Sequence, residues 1–140
     1  MLEPEEILNF AIDQIPVPVI IASAPDVTIT HFNRAALDLL ARTDTELTEI
    51  PLEAHREYWP TFYPDGTPYR IEDLPLTRAI KKGEVSTDVE IIVRQPGGNR
   101  WISSSAAPLR DNNGNIVAGI VAFPEITDRK RAEDALRESE

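Results

Sequence analysis

Residues 101–140 read WISSSAAPLRDNNGNIVAGIVAFPEITDRKRAEDALRESE, and this stretch decides the fold. Two short runs rich in β-branched and small residues, 101–109 and 116–123, flank the sequence Asp-Asn-Asn-Gly-Asn, which tolerates the positive φ of a hairpin turn. A charged stretch free of Gly and Pro follows from Thr127, and its composition predicts a helix. The sequence therefore predicts a hairpin leading directly into a helix, which we call the exit helix. Such a junction suits a domain whose last strand passes a conformational state downstream.

Upstream of the hairpin, the sequence predicts further helices and strands. Apolar residues recur at helical spacing over residues 4–15 until Pro16, which ends the helix. Asn33 is placed to cap a helix, and Gly83 to end another. Strands are predicted at residues 19–22, 27–32 and 85–94, between these helices. With the hairpin, the order of elements predicts an α+β domain, a five-stranded antiparallel sheet with helices on one face.

Residues 48–75 form a proline-punctuated segment, and such segments often carry function. Trp59, Phe62 and Tyr63 are the aromatic residues of this segment that regular structure explains least. They either pack into the core of the domain or form a lid over a small apolar or aromatic ligand.

Composition excludes several classes of function. The chain has no cysteine, which excludes disulfides, thiolate metal sites and cysteinyl adducts with a chromophore. A formal net charge of −10 argues against a nucleic-acid surface, which needs clustered Lys and Arg. No apolar run is long enough to span a membrane, and the acidic N-terminus does not resemble a signal peptide. We therefore expect a cytoplasmic domain without membrane contact.

The residues that could bind a metal ion or take part in catalysis each have a simpler structural interpretation. His31 falls on a predicted strand and His55 in a loop, so neither is an expected metal ligand. Asp111 and its neighbours imitate a calcium loop, but Ile116 replaces the required Gly, which favours a hairpin turn. No nucleophile lies beside a partner base, so we expect no catalysis.

The motifs resemble those of PAS sensor domains over roughly residues 8–140. The resemblance is carried by Trp101-Ile102, by residues 107–111 and 113–114, and by Glu125-Ile126-Thr127-Asp128-Arg129-Lys130-Arg131-Ala132-Glu133. Residues 29–36 and 75–84 are similar to the second strand and the long helix of that family. Glu125 stands where the family usually has Asp. The resemblance implies a flanking helix at residues 1–16, a PAS core at 17–127 and the start of a signalling helix at 128–140.

The resemblance also implies a ligand pocket, although one strand can be interpreted in two ways. Val89, Ile91 and Val93 share one face of the strand, and Ile92 lies on the other. Pattern alone turns the first three toward the helices, whereas the resemblance favours Ile92 toward the pocket. We follow the resemblance, because the apolar N-terminal helix needs a surface to cover. The expected pocket residues are Leu40, Trp59, Leu76, Ile80, Ile92, Ile102, Ser104, Val121 and Phe123.

By resemblance, the chain is a sensory domain that binds a small ligand, dimerises, or does both, and so biases the exit helix. The expected output is a downstream domain in the same chain, a histidine kinase. The expected signal-transfer residues are Glu125, Ile126, Thr127, Asp128 and Arg129, and the expected homodimer contacts are Leu8, Ile12 and Ile15. One alternative is a structural dimerisation domain without a ligand. Another is a redox or gas sensor with non-covalent haem or flavin. We expect no cofactor, because residues 76–82, where the family carries its haem ligand, contain no His.

Overall fold

The structure, a computed structural model, describes residues 3–40, 60–95 and 97–139. Its helices are α1 (Pro4–Asp13), α2 (Arg34–Leu39), α3 (Pro75–Lys82) and α4 (Thr127–Glu138). Its strands are β1 (Val19–Ser23), β2 (Thr28–Phe32), β3 (Thr61–Phe62), β4 (Ser86–Gln95), β5 (Gly98–Arg110) and β6 (Ile116–Ala122). The strands form one antiparallel sheet in the order β2-β1-β6-β5-β4-β3. The predicted α+β fold is confirmed, with a two-residue edge strand, β3, beyond the five expected.

Local sequence signals set several of the boundaries. Asn33 caps α2 by accepting a hydrogen bond from the amide of Ala36 at 2.9 Å. Gly83 ends α3 with a φ of 69°, a left-handed conformation that glycine adopts without strain. In the hairpin between β5 and β6, the Asp111 carboxylate accepts hydrogen bonds from the amides of Asn113 and Asn115 at 2.9 Å each. This local pairing is the turn that the sequence predicted.

The main core lies between the sheet and the helices α2 and α3. Its residues include Ile29, Leu76, Ile91 and Ile102, all buried. Helix α3 lies so close to β6 that a Cβ on Gly119 would come within 2.6 Å of Ile80 Cγ1. A glycine at this position is therefore what lets helix and sheet approach.

Helix α1 covers the opposite face of the sheet. Its Ile12 packs on Val19 and Ile21 of β1, with three residues of β6 beside them. The resemblance also implies that Val89, Ile91 and Val93 lie under α1 or a dimer partner, and this is wrong because all three belong to the main core or pack against it. Ile12 is only 5% exposed, so its assignment as a dimer contact is also corrected: it is part of the chain's own interior.

A buried asparagine joins α1 to the rest of the fold. Asn33 is fully buried, and its Oδ1 accepts hydrogen bonds from the amides of Val19 and Ala36. Its Nδ2 faces three carbonyl oxygens that follow α1 or belong to its last turn, those of Ile12 at 2.9 Å, Ile15 at 3.3 Å and Val17 at 2.8 Å. One side chain thus links α1, β1 and α2.

The register of β4 decides which of its faces meets the core. Ile91 pairs with Ile102 of β5, and directly paired residues point to the same side of a sheet. Ile91 and Val93 therefore face the core, and the placement of Ile92 toward the pocket is wrong. Ile92 pairs with Phe62 and Trp101 on the outer face and is buried there as well. The alternation of β4 alone indicated the correct inward face, and the resemblance misled because Ile92 is also buried, on the other side of the sheet.

Candidate functional site

A small cavity lies between α3 and the core face of the sheet. Its volume is about 80 Å³. The described residues lining it are mostly apolar: Ile20, Ile29, Leu40, Thr61, Leu74, Pro75, Leu76, Thr77, Ile91, Val93, Ile102, Ser104, Val121 and Phe123.

The structure brings together most of the residues that the sequence assigned to a pocket. Those lining the cavity are Leu40, Leu76, Ile102, Ser104, Val121 and Phe123. Ile80 is buried in the same core but packs toward Gly119. Trp59 lies outside the described residues.

Sequence reasoning missed several lining residues. Ile20 and Ile29 sit on predicted strands, and their apolar character was the available signal, but which neighbour each strand pairs with was not readable. Leu74 and Pro75 belong to the proline-punctuated segment, where no periodicity indicates a facing direction.

A polar network fixes the wall formed by this segment. The Tyr63 hydroxyl donates to Asp73 at 3.1 Å, and Tyr63 stacks on Tyr69 with ring centroids 4.0 Å apart. Arg78 of α3 pairs with Asp73 at 3.4 Å and with Glu84 at 2.6 Å. Burial, chiefly, raises the pKa of the Tyr69 hydroxyl above its ordinary value of 10.0. Tyr63 thus packs against the main core, Phe62 lies on the outer face of the sheet opposite Ile92, and neither is among the described residues that line the cavity.

The exit helix begins at a connected set of hydrogen bonds on β5. Arg100 Nη1 lies 3.1 Å from both carboxylate oxygens of Glu125. Thr127 Oγ1 donates to Glu125 at 2.7 Å and accepts from the amide of Trp101 at 2.9 Å. The amide of Ile126 donates to the Trp101 carbonyl at 2.7 Å. The side chain of Glu125, longer than the Asp that the family usually has here, therefore reaches Arg100 on β5.

The first turn of α4 is also held through side chains on β4 and β5. Lys130 Nζ lies 3.1 Å from Glu90 and 4.8 Å from the ring centroid of Trp101. Arg129 pairs with the same Glu90 at 3.3 Å. The hydrogen bond that Lys130 donates to Glu90 is the main cause that raises the pKa of Lys130, against an opposing effect of burial. Asp128 is exposed, and the residues that the structure describes place no partner within salt-bridge distance of it.

Strand β5 connects the cavity with this junction. Ile102 and Ser104 line the cavity, whereas the backbone of Trp101 and Ser103 binds residues 124–127. Phe123, which also lines the cavity, donates its amide to Pro18 just before β1. The cavity wall and the start of α4 therefore share one strand.

Other candidate sites are not supported. His31 lies on β2 with its Nδ1 2.8 Å from the Thr30 hydroxyl, a strand residue as predicted. His55 lies outside the described residues. Within residues 3–40, 60–95 and 97–139, no group of three or more His, Asp or Glu could hold a metal ion. No described helix is long and apolar enough to cross a membrane.

Comparison with known proteins gives one family and many similar structures. A sequence family described as the PAS fold matches residues 12–131. No curated protein matches the chain. An RNA-binding Light-Oxygen-Voltage receptor is 21% identical with a TM-score of 0.70, and the match covers 96% of this chain and 36% of the receptor.

Two smaller solved domains are also similar. The PAS domain of nitrogen regulation protein NR(II) from Vibrio parahaemolyticus is 15% identical with a TM-score of 0.60, covering 86% of this chain and 98% of that one. The PAS domain of BvgS from Bordetella pertussis is 19% identical with a TM-score of 0.58, covering 96% and 93%. At such identities the likeness establishes the fold alone.

Proposed function

Since this chain belongs to the PAS fold family, we propose that it is a ligand-responsive sensory domain whose cavity controls the exit helix. The proposal rests on one observation: β5 contacts both the cavity and the start of α4. Its Ile102 and Ser104 line the cavity while the backbone of Trp101 and Ser103 holds the segment that leads into α4. A ligand acts here only through different affinities for two arrangements of the sheet and the exit helix.

The proposal assigns no catalytic role to this domain. The output is a downstream domain in the same chain, a histidine kinase in our proposal. The sequence at residues 125–133 resembles the linker that joins PAS domains to histidine kinases, diguanylate cyclases or further PAS domains. The domain works as a cytoplasmic homodimer in this proposal.

The cavity favours a small ligand over a bound cofactor. Its volume of about 80 Å³ is about half that of an apolar cavity that holds benzene, ~150 Å³. Haem and flavin are much larger than benzene, and the described lining contains no His to ligate an iron. These features support a domain without a resident chromophore.

The test perturbs the cavity and observes the exit helix. Ser104→Val adds volume to the cavity wall, and xenon under pressure fills apolar cavities without any other contact. We expect either perturbation to change amide hydrogen exchange in residues 127–138 by about threefold or more, because a change of about 0.7 kcal/mol in docking free energy suffices.

Thr87→Val is the matched control, because Thr87 is exposed on β4, away from the cavity lining. It should leave exchange in α4 unchanged. Unchanged exchange in both Ser104→Val and the xenon-filled wild type would contradict the proposal and favour a structural dimerisation domain.

A further inference from the structure

Two buried hydroxyl groups in the cavity wall have no hydrogen-bond partner among the described residues. Ser104 on β5 is 3% exposed and Thr77 on α3 is 4% exposed. Neither side chain hydrogen-bonds to any residue within the described parts of the chain. Buried hydroxyls are nearly always paired, because removing one from water without a partner is costly. Both residues line the same cavity, so both hydroxyls need a partner from inside it.

The two serines beside Ser104 on β5 do have hydrogen-bond partners. Ser103 donates to Asp88 at 3.2 Å, and Ser105 accepts from the Asp88 amide at 3.0 Å. Ser104 lies between them and faces the cavity instead. Its hydroxyl is therefore the exception in a run whose other members are paired on the outer face.

The other described residues that line the cavity restrict which kind of molecule could hydrogen-bond to the two hydroxyls. No Lys, Arg, His, Asp or Glu is among these lining residues, so a charged molecule would be buried without a counter-ion. The remaining walls are apolar, apart from Thr61. A volume of about 80 Å³ admits only a few heavy atoms.

We infer that the cavity takes a small neutral molecule with one hydrogen-bonding oxygen, a short-chain alcohol, aldehyde or ketone. Its oxygen pairs with the hydroxyls of Thr77 and Ser104, and its short carbon chain lies against Ile91, Ile102 and Val121. This inference gives the ligand class for the proposed sensory function and rests on it.

The first experiment measures binding by chemical-shift titration with three probes. 1-Propanol carries a neutral oxygen, propionate carries a charge on a chain of the same length, and xenon carries no polar group. We expect saturable binding of 1-propanol with a Kd of about 1 mM, as suits so few atoms, and no saturable binding of propionate. In Thr77→Val and Ser104→Ala the Kd for 1-propanol should rise by about two- to tenfold, with xenon binding not weakened.

Thr87→Val again serves as the control, since it removes an exposed hydroxyl and should leave the Kd unchanged. Without ligand, Ser104→Ala should raise the Tm, because it removes an unpaired buried hydroxyl, whereas Ser105→Ala should lower it.

The inference is overturned if 1-propanol gives no saturable shifts, or if Ser104→Ala and Thr77→Val bind it as tightly as wild type. It is also overturned if propionate binds as well as 1-propanol. These outcomes are separate from the sensory proposal, which is tested by hydrogen exchange in α4. Binding of 1-propanol with no change in α4 would contradict the sensory proposal and leave the ligand class standing.

Discussion

At the scale of single residues, Asn33 has the largest structural role that the contacts reveal. The sequence identified it as a helix cap, which a short local pattern can show. It could not show the three carbonyl oxygens of Ile12, Ile15 and Val17 that surround Nδ2, because those contacts depend on where α1 packs. Both ends of the amide are used in one buried site, so neither a hydrophobic residue nor an acid replaces it.

We expect Asn33→Asp to lower the free energy of unfolding by about 3 kcal/mol or more. The substitution keeps the size and both acceptor contacts but places a carboxylate against three carbonyl oxygens. The deficit should shrink as the pH falls, because a protonated carboxyl regains one donor. Urea unfolding at two pH values measures this. The control is Asn113→Asp in the exposed hairpin turn, whose free energy of unfolding should stay within about 0.5 kcal/mol of wild type. An equal loss of stability at both positions would contradict the role given to Asn33.

At the scale of elements, the exit helix is held by its first turn. Beyond Lys130 every described residue of α4 is exposed, and a helix of this length is marginal without packing. Its attachment therefore depends on the polar contacts of Thr127, Arg129 and Lys130 with the sheet.

The Lys130 contact predicts a loss of attachment at high pH. Glu90 raises the pKa of Lys130 above its ordinary 10.5, so the stabilisation is fully present below pH 10.5 and is lost as the pH rises through the higher value. NMR titration of the Lys130 side chain should give a midpoint above 10.5, and Glu90→Gln should lower it. Lys130→Met should speed amide exchange in the first turn of α4, whereas Arg131→Met, at an exposed neighbour, should not. Equal effects of the two substitutions would contradict this account.

Helices and turns that depend on local sequence signals could be predicted. Features that depend on how strands pair in the sheet could not. Gly83, Asn33 and the Asp-Asn-Asn-Gly-Asn turn act through their own backbone, so the helices and the hairpin were found. β3 is too short to show a period, and only its pairing with β4 makes it a strand. The alternation of β4 did indicate its inward face, but we followed the resemblance instead, and the burial of Ile92 on the outer side made that choice plausible.

At the scale of the whole molecule, an apolar strip remains exposed on α1 and at Ile15, two residues beyond its end. With Ile12 buried beneath the helix, Ile7 and Phe10 are 52% and 65% exposed, and Ile15 is 41% exposed. The side chain of Leu8 lies outside the described residues. Leu136 on α4 is equally exposed, but its described neighbours on that helix are charged or small. We therefore move the proposed homodimer contact from Ile12 to Ile7, Phe10 and Ile15.

Phe10→Glu should weaken dimerisation by at least tenfold, because it puts a carboxylate in an apolar contact. Leu136→Glu, the control at similar exposure, should change it by less than about twofold. Sedimentation velocity over a concentration series measures both. Added salt should strengthen the wild-type dimer, since each chain carries a net charge of −10. A monomeric Leu136→Glu beside a dimeric Phe10→Glu would show that α4 makes the contact instead.

The position of β1 in the sheet has a consequence for biosynthesis. β1 lies between β2 and β6, and Val19 pairs with Ala122, so one side of an early strand stays open until the late part of the chain has left the ribosome. Pairing over such a long separation is slow, since loop closure precedes any gain in contacts. Meanwhile Val19-Ile20-Ile21-Ala22 presents an open apolar edge of the kind that seeds aggregation. Chains interrupted before Ile116 should therefore need chaperones more than the complete domain does.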